Sequence, residues 1–238
     1  MLEREYDTIV VVGGGCYGSY YVRQLLRARE AGALKWRRVV VVDRDPACLV
    51  AGTPGVDVVT AEWGAFFRAY LADGEALDKD AIVPSPLMPH LFFEWIRDRA
   101  RERWPGRRVT AERFEPTELN VPWQRTGEDG THYVSFATWM CPVNCIEPAK
   151  CPHTKGPRDW SMPVAVESYL AGPGRREGLS GPVIFHCTHR AYGVGMIDTA
   201  DLLAADATVT AAGTARAARV VVGTVSHCHG ALSVLSVD

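Results

Sequence analysis

The 238-residue sequence lacks several features that would assign it to a class at once. It has no apolar run of about 18 residues, so no membrane span is expected. Its 26 basic and 28 acidic residues leave a net charge of -2, which argues against a nucleic-acid partner. The charged N-terminal segment, residues 1–7, lacks the apolar core of a signal peptide. The sequence therefore predicts a cytoplasmic protein.

Familiar catalytic motifs are also missing. The sequence contains no Gly-x-Ser-x-Gly elbow, no Gly-Lys-Ser/Thr phosphate loop and no His-Glu-x-x-His zinc motif. It does contain seven cysteines. An odd number without a secretion signal argues against a disulfide framework and favours metal binding or redox chemistry.

Apolar runs that resemble buried strands alternate with helical patterns along the chain. This alternation predicts an α/β fold with one doubly wound, mainly parallel Rossmann-like sheet. Residues 1–115 would form a dinucleotide-binding half. Residues 116–238 would add a Cys/Pro-rich loop insertion, with five prolines in residues 140–163, and a second α/β half on the same sheet. The apolar C-terminal strand would leave a sheet edge open for self-association, so a homo-oligomer is possible.

A glycine loop follows the first predicted strand, residues 7–12, and opens the first predicted helix. Gly13 permits a tight turn, Gly15 lets the backbone approach a pyrophosphate, and Gly18 allows close helix–strand packing. The helix N-terminus would offer N–H groups to phosphate. Cys16 lies within this loop, where a small residue fits a tight turn.

The second predicted strand ends at Asp43, whose carboxylate can accept hydrogen bonds from a ribose diol and would repel a 2′-phosphate. This favours NAD or FAD over NADP, although the adjacent Arg44 could meet a 2′-phosphate. With Gly13, Gly15 and Gly18, the pattern resembles the Rossmann-fold NAD(P)- or FAD-binding superfamily over roughly residues 6–115, most specifically over 9–45. The run Val-Val-Val-Val-Asp-Arg-Asp-Pro at residues 39–46 also resembles NAD-binding domains of potassium-uptake regulatory proteins, a resemblance that implies nucleotide sensing.

The most unusual segment is the cysteine loop, residues 141–153, which contains Cys141, Cys145 and Cys151. Three thiolates on a proline-stiffened loop can converge on an iron–sulfur cluster, which is favoured, or on zinc. A loop of reduced thiols without metal is the third interpretation. The Cys-Pro pairs resemble those of bacterial ferredoxin cluster loops. Candidates for a fourth ligand are His153, Cys187, Cys228 and, with less support, His132.

Two histidine–cysteine clusters, residues 186–189 and 227–229, each follow a predicted strand. Ligands of open α/β sheets bind beyond the carboxyl ends of strands, so both clusters are expected to lie at the edge that carries the glycine loop. Strand alternation predicts that Cys187 and His189 share one face. His189 and His229 are the candidate proton donors or acceptors of a reaction near neutral pH.

Two functions are consistent with these patterns. The first is an oxidoreductase or electron-transfer component, in which a bound NAD(P) or FAD faces a cysteine-ligated metal centre and reacts with a small-molecule or protein redox partner. The alternative is a nucleotide-sensing regulatory module with a structural zinc site.

Overall fold

The computed structural model describes residues 5–72, 77–142, 144–215 and 217–238. Within these ranges six helices and twelve strands are formed. The helices are α1 (Cys16–Glu30), α2 (Trp63–Tyr70), α3 (Leu91–Arg103), α4 (Met162–Ala171), α5 (Pro173–Arg176) and α6 (Thr199–Ala215). The strands are β1 (Glu5–Val12), β2 (Lys35–Asp43), β3 (Val56–Thr60), β4 (Ala81–Val83), β5 (Val109–Glu112), β6 (Trp123–Thr126), β7 (His132–Ser135), β8 (Ser180–His186), β9 (Thr188–Ala191), β10 (Val194–Asp198), β11 (Ala218–Val225) and β12 (His229–Val237).

The chain divides into two compact units, and neither is continuous in sequence. The first unit comprises Met1–Leu91, Val143–Ile146 and Cys187–Leu203. The second comprises Phe92–Pro142, Glu147–His186 and Ala204–Asp238.

The sheet of the first unit has the strand order β3-β2-β1-β4-β10-β9. Its first four strands are parallel, whereas β10 runs antiparallel to β4 and β9 antiparallel to β10. The β-branched runs of β1 and β2 are almost fully buried, as expected for central parallel strands. Helix α1 packs Val22 and Leu25 into the same core as Val11 and Val41. This helix therefore begins at the carboxyl end of β1 and covers one face of the sheet.

The second unit is built on a sheet of order β6-β7-β12-β11-β8, and β5 also pairs with β12. Strand β8 is parallel to β11, and the other pairs are antiparallel. Helix α4 contributes Met162 and Val166 to a core that also contains Val221 and Leu232. Residues 140–161, of which residue 143 lies outside the described ranges, form turns and an isolated bridge between Lys150 and Pro157.

The prediction of one doubly wound, mainly parallel Rossmann-like sheet is wrong, because the chain forms two mixed sheets. Residues 182–189 were expected to form one strand, but β8 ends at His186 in the second sheet and β9 begins at Thr188 in the first. The short turn at residues 226–228 joins β11 to β12, and a turn of this length permits antiparallel pairing only. An apolar run does not reveal the direction of its partner strand, so the sequence pattern could not distinguish these arrangements.

The C-terminal strand does not form an open sheet edge. Strand β12 pairs with β11 along one side and with β5 and β7 along the other. The expected edge for self-association is therefore already occupied within the chain. Among the described helices, none is both long and apolar enough to cross a membrane.

Candidate functional site

The glycine loop connects β1 directly to α1, as the sequence predicts for this segment. Gly13 has a φ of +85°, a backbone conformation that residues with a Cβ rarely adopt. Its N–H donates to the carbonyl oxygen of Val42 at 2.8 Å, which ties the loop to the end of β2. The first helical turn, Cys16-Tyr17-Gly18-Ser19, carries no charged side chain, and Cys16 and Tyr17 are exposed. An anion that approaches this end of α1 would therefore meet backbone N–H groups and no carboxylate of that turn.

Gly15 and Gly18 serve different purposes in this loop. A Cβ on Gly18 would lie 1.7 Å from the carbonyl oxygen of Gly13, so the turn closes only around a glycine. A Cβ on Gly15 would meet no atom within 4 Å. Packing therefore explains the glycine at position 18 but not the one at 15. The position before α1 is open to a ligand.

The Asp43 carboxylate lies at the end of β2, beside the loop. Its Oδ2 accepts the Gly14 N–H at 2.6 Å, and its Oδ1 accepts the Asp45 N–H at 2.9 Å. A carboxylate offers about four lone-pair sites, so Asp43 keeps acceptor capacity for a ligand hydroxyl. Arg44 is largely exposed and lies 3.8 Å from Glu62 in an ion pair.

Trp63 is a neighbour of the loop that the sequence patterns did not reveal. Its indole N–H donates to the Val42 carbonyl at 3.0 Å, and its ring atom Cζ2 lies 3.2 Å from the Cβ position of Gly13. One sequence feature could have pointed to Trp63: it is the first residue of a helix that follows a parallel strand. Buried Cys48 packs against Gly14 from another direction.

The cysteines of the predicted metal loop belong to different units. Cys141 and Cys151 lie in the second unit, whereas Cys145 lies in the first. All seven cysteines fall within the described ranges, and the structure places none of them in a disulfide bond. Among the residues that the structure describes, no three His, Cys, Asp or Glu side chains are grouped so as to hold a metal ion. An iron–sulfur or zinc centre on the cysteine loop therefore stays a prediction.

Cys151 lies in a tight turn in which its carbonyl oxygen accepts the Lys155 N–H at 2.9 Å. The backbone N–H of Thr154 lowers the pKa of the Cys151 thiol, and Lys155 adds to this effect while burial opposes it. The ring of His153 stacks on Trp139, with the centroids 4.6 Å apart and the planes 5° from parallel. His153 thus contributes to an aromatic stack within the second unit.

Glu147 organises the turn between β11 and β12, a role that no sequence pattern indicates. It is buried and adopts a φ of +48°. Its carboxylate accepts the Ser226 hydroxyl at 2.7 Å, the His227 N–H at 3.1 Å and the Cys228 N–H at 3.2 Å. Three donors on one carboxylate fix the turn that carries Cys228.

Cys228 itself is buried, and its Sγ accepts the indole N–H of Trp160 at 3.2 Å. Burial raises the pKa of the Cys228 thiol to about 12, and the nearby Glu147 and Cys141 act in the same direction. In the metal-free protein the thiol is therefore protonated near neutral pH.

The remaining histidine candidates of the second unit have identified partners. His229 Nδ1 lies 2.9 Å from the Ser135 hydroxyl, on the neighbouring strand β7. Both ring nitrogens of His132 are within 2.9 Å of hydrogen-bond partners, the Thr126 hydroxyl and the Gln124 amide oxygen. Burial lowers the pKa of His132, which favours the neutral ring.

Cys187 and His189 are brought together in the first unit, on one face as predicted. A Cβ on Gly195 would lie 2.5 Å from the Cys187 Sγ and 3.3 Å from the His189 Nε2. His189 Nδ1 contacts the carbonyl oxygen of Cys145. Of the predicted ligands and catalytic residues, Cys145, Cys187 and His189 thus belong to the unit that carries the glycine loop, and the other six belong to the second unit.

A family model described as an uncharacterized protein, C-terminal domain, matches residues 92–238. No curated protein matches the chain, and no solved structure matches it. The glycine loop and Asp43 lie outside the matched range, whereas the cysteine loop and the β9–β10 hairpin lie inside it.

Proposed function

The chain belongs to the AF_1314_C family through residues 92–238, and we propose that it binds an adenine dinucleotide at the glycine loop that precedes the matched range. NAD or FAD is favoured over NADP. The resemblance of residues 9–45 to dinucleotide-binding domains is part of this proposal.

The observation that carries the proposal is the contrast between Gly15 and Gly18. Gly18 is required by the fold, because its Cβ would collide with the Gly13 carbonyl oxygen. Gly15 is not required by packing, yet it stands where a pyrophosphate would approach the N-terminus of α1. A ligand that needs close backbone approach explains a glycine at this position.

The other residues of the loop have definite roles in this proposal. The backbone N–H groups of Cys16 and Tyr17 would donate to the pyrophosphate oxygens. The Asp43 carboxylate would accept hydrogen bonds from the ribose hydroxyls through lone pairs that the Gly14 and Asp45 N–H groups leave available. A bound nicotinamide or flavin would supply hydride or electron transfer.

Replacement of Gly15 by Asp tests the proposed site directly. The new carboxylate has room and can cap the helix, so the fold should be kept. It would repel the pyrophosphate. Two like charges brought together in a binding site cost several kcal/mol of binding free energy, so we expect NAD affinity to fall about 100-fold. Isothermal titration calorimetry with NAD⁺, NADH, NADP⁺ and FAD measures the effect.

Gly15→Asn is the matched control, because Asn has nearly the same bulk and capping ability without the charge. It should lose less affinity than Gly15→Asp. The proposal is wrong if the unmodified protein binds none of the four nucleotides, or if Gly15→Asp binds them as tightly as the unmodified protein.

Asp43→Asn tests the preference between nucleotides. We expect NAD affinity to fall about tenfold because one charged acceptor is lost. The ratio of NAD affinity to NADP affinity should also decrease, since a neutral amide no longer repels a 2′-phosphate. Asp57→Asn, which removes an exposed carboxylate of the same sheet, should leave both affinities unchanged. Equal NADP and NAD affinity in the unmodified protein would contradict the role given to Asp43.

An oxidoreductase role for the bound dinucleotide is the function we propose, and nucleotide sensing without turnover is the alternative. The redox role is supported by the Cys187 thiol and the His189 imidazole, which lie in the same unit as the glycine loop and can donate or accept protons. The iron–sulfur or zinc centre enters no step, because the described residues do not gather a ligand set. Steady NADH oxidation with an added electron acceptor would support the redox role, whereas binding without turnover would favour sensing.

A further inference from the structure

Cys187 and His189 converge on the space left by Gly195. Strand pairing places Gly195 of β10 opposite His189 of β9. The Cys187 Sγ and the His189 Nε2 lie 2.5 Å and 3.3 Å from the position that a Cβ on Gly195 would take. A side chain at this position would separate the thiol from the imidazole. The glycine therefore leaves the thiol and the imidazole on either side of the same small space.

The orientation of the imidazole is fixed from the other side of the ring. His189 Nδ1 contacts the backbone carbonyl oxygen of Cys145, which can only accept a hydrogen bond. The neutral ring therefore carries its proton on Nδ1, and Nε2 keeps a lone pair that can accept a proton. This is the arrangement of a general base held in one tautomer by a second group.

The surroundings of the pair combine partial burial with access. Cys187 and His189 are both partly exposed, so a small reagent can reach them. Tyr21 of α1 lies near Cys187: burial raises the pKa of Tyr21 to about 12, and Cys187 contributes to the shift. The tyrosine is therefore a neutral hydroxyl near neutral pH.

We propose that Cys187 is a nucleophile that adds to a soft electrophilic carbon such as an aldehyde carbonyl, with His189 as its base. In this step the S–H bond breaks and the proton passes to Nε2. The S–C bond forms as the carbonyl π electrons move to oxygen, which then takes the proton from Nε2. The product is a hemithioacetal, and the step needs no oxidant. This site stands on its own geometry and does not require that the dinucleotide proposal hold.

Alkylation by iodoacetamide measures the reactivity of each cysteine. The thiolate attacks carbon, iodide leaves, and peptide mass spectrometry gives a rate for every cysteine in the chain. Near neutral pH we expect Cys187 to react about tenfold faster than Cys145, a cysteine of the same unit that is also partly exposed. Excess propanal should slow alkylation of Cys187 and leave that of Cys145 unchanged.

His189→Asn separates the base from a merely structural role. The Asn side-chain nitrogen can replace Nδ1 in the hydrogen bond to Cys145, but it offers no equivalent of Nε2. We expect alkylation of Cys187 to slow about tenfold in this variant, while that of Cys145 is unchanged. In His189→Ala, added imidazole should restore part of the Cys187 rate.

Three results would overturn the proposal. The first is that Cys187 of the unmodified protein is alkylated no faster than Cys145. The second is that Cys187 keeps its full alkylation rate in His189→Asn. The third is that propanal leaves the alkylation rate of Cys187 unchanged, which would exclude the carbonyl as its target. A melting curve for each variant establishes that the fold is intact before the rates are compared.

Discussion

Gly18→Ala should lower the free energy of unfolding of the first unit by about 3 kcal/mol, near the upper end of overpacking effects. The added methyl would stand 1.7 Å from the Gly13 carbonyl oxygen, a backbone atom that cannot rotate away. Relief requires α1 to move from the end of β1, which would disturb the packing of Val22 and Leu25 against the sheet. We expect the melting temperature to fall by about 10 °C in a thermal scan followed by circular dichroism.

Gly64→Ala is the control for this substitution. Gly64 lies in α2 of the same unit, and a Cβ there meets nothing within 4 Å. Alanine favours helix over glycine by about 1 kcal/mol, so this variant should melt at the same temperature or slightly higher. If Gly18→Ala melts like Gly64→Ala, the tight closure of the loop is not a stability determinant.

Glu147→Ala should cost the second unit about 3 kcal/mol of unfolding free energy. The substitution removes the acceptor of three hydrogen bonds, two of them from backbone N–H groups in the β11–β12 turn. Each buried donor left unsatisfied costs about 1–3 kcal/mol, although water entering the gap recovers part of this. Urea unfolding followed by tryptophan fluorescence measures the change, since Trp160 contacts Cys228 of the same turn.

Two further variants make the Glu147 experiment specific. Glu147→Gln keeps one carbonyl acceptor and should lose less stability than Glu147→Ala. Glu167→Ala removes an exposed carboxylate from α4 and should change stability by no more than about 0.5 kcal/mol. Equal midpoints for Glu147→Ala and Glu167→Ala would contradict the role of Glu147 in the turn.

The sequence was informative where structure is determined by neighbours along the chain. The β1–loop–α1–β2 segment has local signals: a β-branched run, glycines at fixed spacing and a helical pattern. The structure forms each of these elements where the pattern predicts it. Cys187 and His189 do lie on the same side, next to Gly195, although Cys187 lies between β8 and β9 and belongs to neither strand.

The errors concern partners that are distant in sequence. Nothing near His186 indicates that the strand ends there and that the chain then joins a different sheet. Cys141, Cys145 and Cys151 are close in sequence, yet Cys145 belongs to the first unit and the other two to the second. The shared metal site that their spacing suggests stays a prediction. No sequence pattern singles out Glu147, because its acceptor role depends on a turn about 80 positions later.

The division of the sheets has a consequence for the boundaries of the family domain. The matched range, residues 92–238, includes β9 and β10. In the structure β10 pairs with β4, which lies at Ala81–Val83 and outside that range. Met196 and Ile197 of β10 are fully buried. A recombinant fragment that starts at residue 92 would therefore retain two strands severed from the sheet they complete, and would expose apolar side chains and an unpaired β10 edge to solvent.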